Sequence, residues 1–256
     1  MLGDGKSQSG QGKQTEREIY AVAVELISER GFHGTSLRAV AAAVGLQMSS
    51  LYYHFPSKQD LLVEIMTRSM HDLISVVEKA VSDHRDEGPM DRLQAAIRGH
   101  ILFHAGRRNE MFILDNEMRA LEPAGRKLVM KLRNQYEHIF TELLTEGSEQ
   151  GVFRLTDTRL VLFALMAMCT GVAVWYRPDG RLSLEDIADS YTDMFAHGVV
   201  TTSDKASSGA QAQSLKAKKS GQRIVLAGRT SQSIREGVEV DKRVTRRVET
   251  RRSSGA

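Results

Sequence analysis

Cysteine occurs once in these 256 residues, at Cys169, and proline only four times. A single cysteine excludes a disulfide framework and every Cys-based zinc module, and it fits a reducing compartment, so a cytoplasmic location is expected. Strand-like alternation of apolar and polar residues is missing. Catalytic signatures are missing as well. There is no G-x-S-x-G, no glycine-rich phosphate loop, no H-E-x-x-H and no usable Cys–His pairing. The chain is therefore read as a non-enzyme with no cofactor. The first 14 residues hold no apolar run and read as a flexible arm rather than a signal peptide or a membrane span.

Basic charge is scarce where the mean suggests it is plentiful. The formal net charge is +3, from 35 Lys+Arg against 32 Asp+Glu. Residues 200–256 carry 13 of the bases and 5 of the acids, so residues 1–199 carry 22 and 27. The high isoelectric point belongs to the tail. Bulk charge thus says nothing for nucleic-acid binding in the body, and such binding has to be argued from a motif. The tail has no aromatic residue and no proline, is rich in Ser, Gly, Lys and Arg, and is expected to be disordered.

What is present is helical periodicity. Apolar residues recur at three- and four-residue spacing from Thr15 to Val199, and all four prolines fall at predicted boundaries. The pattern predicts nine helices, over 15–30, 36–43, 47–54, 58–84, 90–106, 109–120, 123–150, 157–175 and 183–199. The predicted class is all-α. The domains are an arm (1–14), a helix-turn-helix domain (15–57), a helical bundle (58–199) and the basic tail (200–256).

The informative stretch is GFHGTSLRAVAAAVGLQMSSLYYHFPSKQDLL, Gly31 to Leu62. The helix before it aligns Ile19, Val22, Ala23 and Leu26 on one face. Gly31 supplies a stop that tolerates positive φ, and Thr35 or Ser36 can cap the next helix. Ala41, four residues before Gly45, leaves room for two helices to meet at a sharp turn. Leu51 and Phe55 anchor the second of these. Its other face, Gln47, Met48, Ser49, Ser50, Tyr53 and His54, is largely polar, as major-groove readout requires. Pro56 ends it, and Ser57-Lys58-Gln59-Asp60 opens the following helix as an S-x-x-D cap. Lys58 stands on that first turn, where an ammonium and backbone N–H groups can meet a phosphate.

Gly31-Phe32, Thr35-Ser36, Ala41 through Gly45 and Leu51-Tyr-Tyr-His-Phe-Pro-Ser-Lys58, followed by Leu61-Leu62, resemble the DNA-binding domain of the TetR (tetracycline-repressor type) transcriptional regulators. The resemblance is strong over residues 15–65 and extends as helix count to residue 199. It implies a homodimeric repressor that binds a palindromic operator on double-stranded DNA and is released by a small molecule. By that resemblance Thr35, Tyr52, His54 and Lys58 fall at phosphate-contacting positions. Gln47, Met48, Ser49, Ser50 and Tyr53 fall at the groove-facing end. Many members have Ser-Lys where this chain has Gln47-Met48. Gln suits adenine and Met suits a thymine methyl, but a lysine contact to phosphate or guanine is missing, so the resemblance does not carry over the operator preference. Tyr52 also has a structural reading, as a partly buried tyrosine whose hydroxyl finds a carbonyl.

The most apolar stretch, Leu160 to Tyr176, is 17 residues long and interrupted by Thr170-Gly171. It is short for a membrane span, which needs about 20, and reads as a helix buried on several sides. The helices over 157–175 and 183–199 of two chains form the expected four-helix dimer interface. Trp175 to Ser183 and Asn116 to Leu121 resemble TetR-type regulators of lipid or steroid catabolism, some of which respond to acyl-CoA thioesters. If so, Met66, Met70, Phe103, Met111, Phe112, Phe140, Phe163, Met166 and Trp175 are candidates to line an acyl pocket. Arg119, Arg126 and Arg133 are candidates for the phosphates. Such residues also serve as ordinary core and surface. His100 and His104, four apart, are read as satisfied histidines rather than a metal site, because no third ligand stands at fixed spacing. Two other readings stay open: an activator or non-specific DNA binder using the basic tail, and a helical interaction protein without DNA binding.

Overall fold

The computed structural model describes residues 5–199, with side chains over 12–198. The basic tail lies outside the described residues. Among the described residues the elements are all helices: α1 (Gly5–Gly34), α2 (Leu37–Val44), α3 (Met48–His54), α4 (Lys58–Asp83), α5 (Pro89–Gly106), α6 (Arg108–Asn116), a 3-10 turn (Met118–Ala120), α7 (Pro123–Glu149), α8 (Thr158–Thr170), α9 (Val172–Trp175) and α10 (Leu184–Val199).

Two predicted elements are divided. The helix read over 109–120 ends at Asn116, and the chain re-forms one tight turn after it. The helix read over 157–175 breaks at Gly171, which caps α8 and begins α9. At the amino end α1 starts ten residues earlier than the predicted helix, so residues 5–14, read as arm, are helical. Once a helix is nucleated, each further residue adds a hydrogen bond for one fixed pair of dihedrals. Polar composition alone does not stop it.

The caps follow the chemistry of their residues. Ser36, not Thr35, caps α2, accepting the Ala39 N–H at 3.1 Å. Ser57 caps α4 through the Asp60 N–H at 3.0 Å. Asp157 accepts the Leu160 N–H at 2.8 Å. Gly31 and Gly45 both take positive φ, 72° and 75°. At Gly45 the chain reverses between α2 and α3, and the Leu46 N–H returns to the Ala41 carbonyl at 2.8 Å.

The core is continuous. Helix α4 is its axis, burying Leu61, Leu62, Ile65, Met66, Met70, Leu73, Ile74 and Val77 along most of its length. It packs on α1, α5, α6 and α7.

Candidate nucleic-acid interface and buried cavity

Helix α3 is held from beneath and open above. Leu51 is fully buried and Phe55 nearly so, four residues apart on the inward face. Gln47, Ser49, Ser50, Tyr52 and Tyr53 are exposed, Tyr53 at 84% of its surface, and His54 is half-buried with its ring edge-on to Tyr53. Ser49, Ser50, Tyr53 and His54 line one wall of a groove whose other wall is Gly12 and Thr15 of α1. A short helix offering hydroxyls, an amide and aromatic edges from a rigid base is a surface that base edges and phosphates can meet.

Three of the expected contact residues face inward instead. Met48 is half-buried against the core. Thr35 is 3% exposed. Its hydroxyl donates to the carbonyls of Leu26 and Gly31, both at 3.0 Å, so it clasps the end of α1. Lys58 donates from Nζ to the Thr35 carbonyl at 2.6 Å and lies 4.1 Å from the Phe32 ring centre. Partial burial pulls its ammonium below the usual lysine range, against the opposing pull of Glu117. A buried carbonyl needs a donor, and Lys58 is the cation within reach. The sequence marks these positions by residue type alone, which cannot separate a clasp from a contact.

The bundle holds a pocket of about 130 Å³ that is partly open to solvent, lined by Met70, Leu73, His100, His104, Leu114, Asp115, Arg133, Tyr136, Glu137, Met166 and Thr170. Of the twelve predicted lining residues, Met70, Arg133 and Met166 are there. Met66, Phe103, Met111 and Phe140 are buried in the core but do not line it. Phe112, Phe163 and Trp175 are about half exposed, and Arg119 and Arg126 lie on the surface, Arg126 donating to the Arg119 carbonyl. Helical spacing places an apolar residue on a face. Which face meets a void depends on how neighbouring helices cross.

His100 and His104 stack with ring centres 4.0 Å apart and planes 13° from parallel. His100 bonds through Nδ1 to the Tyr136 hydroxyl and through Nε2 to Thr170 Oγ1 at 3.3 Å. Burial drives the His100 pKa well below its usual value, helped by His104. Burial, then Arg133, lowers His104 to about 4. Both rings are neutral near neutral pH. The Tyr136 hydroxyl is pushed well above its usual range by burial. Among the described residues no group of three or more His, Cys, Asp or Glu is placed to hold a metal ion. Arg133 donates to Asp115 at 2.8 Å and to the Leu114 carbonyl at 3.1 Å, and burial still raises the Asp115 carboxyl.

Two residues that no sequence signal assigned a role tie the segment after α6 to its neighbours, Glu117 to α1 and Gln59 to the first turn of α4. Glu117, two positions after Asp115, accepts the Phe32 N–H at 3.1 Å. Gln59 donates to the Ala120 carbonyl at 2.7 Å and accepts the Glu122 N–H at 3.2 Å. Partners 61 to 85 residues apart leave no periodic trace.

Comparison with known proteins adds the following. Residues 19–65 match the family described as bacterial regulatory proteins, tetR family, and residues 86–199 match the tetracyclin repressor-like C-terminal domain. The chain is similar to the HTH-type transcriptional repressor KstR2 of Mycobacterium tuberculosis, 26% identical over 193 residues, which cover 75% of this chain and 96% of the relative. It is similar to the fatty acid metabolism regulator protein of Bacillus subtilis, 23% identical over 184 residues, covering 71% and 94%. Among solved structures, AibR in complex with isovaleryl coenzyme A and operator DNA superposes with a TM-score of 0.65 at 32% identity, covering 70% of this chain and 97% of that one. A tetR-family regulatory protein from Rhodococcus RHA1 superposes at 0.68 with 23% identity, covering 73% and 98%, a likeness of fold.

Proposed function

This chain belongs to the TetR family of bacterial transcriptional regulators, DNA-binding proteins and not enzymes, and we propose that it is a cytoplasmic homodimeric repressor released from a palindromic operator by an acyl-CoA thioester. The observation that carries the DNA-binding part is the solvent-facing surface of α3, polar and aromatic over a buried Leu51–Phe55 anchor. Gln47, Ser49, Ser50 and Tyr53 read base edges, while Tyr52 and His54 reach phosphates. Thr35 and Lys58 hold the helices in place from behind.

The effector class rests on relatives. AibR was solved with isovaleryl coenzyme A, and a fatty acid regulator and KstR2 are among the similar proteins. The acyl end enters the cavity. Displacement of the Asp115–Arg133 pair moves the end of α6, and through the Glu117–Phe32 bond the α1–α3 unit moves with it. Effector binding then shifts the population between two separations of the recognition helices.

Dimerisation uses α8 and α10. Leu160, Phe163, Ala164 and Ala167 form an exposed stripe at helical spacing, and Val174, Trp175 and Met194 are also exposed. The Thr158–Trp175 segment is apolar enough for a membrane span by length and composition, with mean hydropathy 1.7. Its inward face packs on α5 and α7 and Gly171 interrupts it, so a second copy rather than lipid covers the outer face.

Footprinting of the purified protein on its own upstream DNA tests the reading. Protection of a palindrome, relieved by isovaleryl coenzyme A or a longer acyl-CoA, is expected. No protected palindrome at moderate salt would overturn it.

A further inference from the structure

The first turn of α4 is held by two consecutive side chains with partners on different parts of the molecule. Lys58 donates to the Thr35 carbonyl, between α1 and α2, at 2.6 Å. Gln59 engages the segment ahead of α7 with both ends of its carboxamide, donating to the Ala120 carbonyl at 2.7 Å and accepting the Glu122 N–H at 3.2 Å. Glu122 stands at the start of α7 and makes no side-chain cap of its own, so Gln59 answers one of the donors that a helix start leaves open. Only residues 55–57 separate α3 from α4. Phe55 is buried, Pro56 has a fixed φ, and Ser57 bonds Asp60 both ways, at 3.0 and 2.7 Å. Where the first turn of α4 goes, α3 follows.

A second contact, one turn further along α4, restricts the same approach. Gly125, in the first turn of α7, lies so near that a Cβ built on it would be 2.5 Å from Val63 Cγ2, well inside the about 3.5–4.0 Å of carbon–carbon contact. Val63 is β-branched, and within a helix such a side chain is held near one χ1, so it does not swing clear. Alanine would favour the helix more than glycine does. The close approach of α7 to α4 is what glycine permits in exchange.

We propose that Gln59 and Gly125 are positioning residues for operator recognition. Their two contacts clamp the start of α7 to the start of α4, and so set the tilt at which the bundle holds the α1–α3 unit. This rests on the DNA-binding reading above. A tilt set in advance spares the ordering that binding would otherwise impose, so loosening either contact weakens operator binding without unfolding the chain. Neither side chain need touch DNA.

The test uses the full chain and reads the tilt without DNA and the affinity with it. Spin labels on Ala43→Cys of α2 and Lys131→Cys of α7, both exposed, report a distance within one chain when labelled protein is diluted into unlabelled. Cys169 is buried and its thiol is pushed up to about 12, so it escapes the label. The clamped chain gives one narrow distance. Gln59→Ala and Gly125→Ala are expected to broaden or move it, and to weaken binding to the footprinted palindrome about tenfold, at a temperature where melts show each variant folded. Val63→Ala added to Gly125→Ala removes the clashing Cγ2 and should bring both readouts back, affinity to within about twofold of wild type. Gln59→Ala introduces no clash and keeps the test open if Gly125→Ala fails to fold. Distances or affinity unmoved in the folded variants, or an affinity loss that Val63→Ala does not restore, overturns the proposal. A wild-type protein that protects no DNA, with variants whose distances broaden as expected, would sink the operator reading and leave the clamp standing.

Discussion

Glu117 accepts the backbone N–H of Phe32 through Oε1 at 3.1 Å, joining two residues 85 positions apart. Phe32 follows Gly31, where the chain turns with φ 72°, and a Cβ at Gly31 would lie 3.3 Å from the same Oε1. The carboxylate therefore seats on the backbone at the point where α1 gives way to α2. It follows α6 directly, and α6 carries Asp115 of the cavity wall. Glu117→Ala is expected to lose a charge-assisted bond, about 1.5–3 kcal/mol, read as a lower urea midpoint. It should also blunt effector-induced release of DNA in a gel-shift titration. Glu117→Gln keeps an acceptor oxygen and should recover most of both. Unchanged effector response in Glu117→Ala would remove this contact from the coupling route.

Tyr53 projects from α3 while Leu51 is sealed beneath it, so the two should separate binding from folding. Tyr53→Ala or Gln47→Ala is expected to weaken operator affinity by about 1–3 kcal/mol with thermal stability unchanged. Leu51→Ala should cost about 2–5 kcal/mol of stability. Gel shifts and thermal melts on the three variants check this. Loss of affinity that tracks loss of stability in all three would refute a contact role for the exposed pair.

The buried histidines make stability depend on pH with a definite sign. His104 titrates near 4 when folded and His100 well below its usual range, against about 6.5 in an unfolded chain. Between those values the unfolded state binds more protons, so stability rises with pH. The contribution is complete above about pH 6.5 and is lost as pH falls towards 4. For His104 it amounts to about 3 kcal/mol at most, at 1.36 kcal/mol per unit. Urea unfolding at pH 7.5 and pH 5 should show the drop, and His104→Leu should reduce it. A flat profile over this range would contradict neutral buried rings.

Leu160 and Phe163 are exposed at 63% and 47% on one face of α8. Leu160→Glu or Phe163→Glu is expected to convert a dimer to a monomer in sedimentation, leave the helical signal intact and abolish binding to a two-half-site operator. A variant that remains dimeric would place the interface elsewhere.

Much of the DNA-binding half was legible in the sequence because its constraints are local. Gly45 needs positive φ four residues after a small Ala41, Ser57 caps the turn that Pro56 opens, and Leu51 and Phe55 share a face by arithmetic. The helices of the bundle were legible to within a few residues for the same reason. Exceptions are the break at Gly171, the stop at Asn116 and the early start at Gly5.

Tertiary structure alone decided the roles of side chains. Thr35 and Lys58 carry the residue types of phosphate contacts, yet they close on the Leu26, Gly31 and Thr35 carbonyls, because burying those acceptors required donors. Nine of twelve predicted lining residues lie elsewhere, because a cavity is what helix crossings leave unfilled and periodicity cannot register a void. His104 looked like one more satisfied histidine, and only packing around it revealed a nitrogen without a partner. The shortage of cysteine and the charge split between body and tail were properties of the chain itself. Where its few unsatisfied groups would point was a property of the fold.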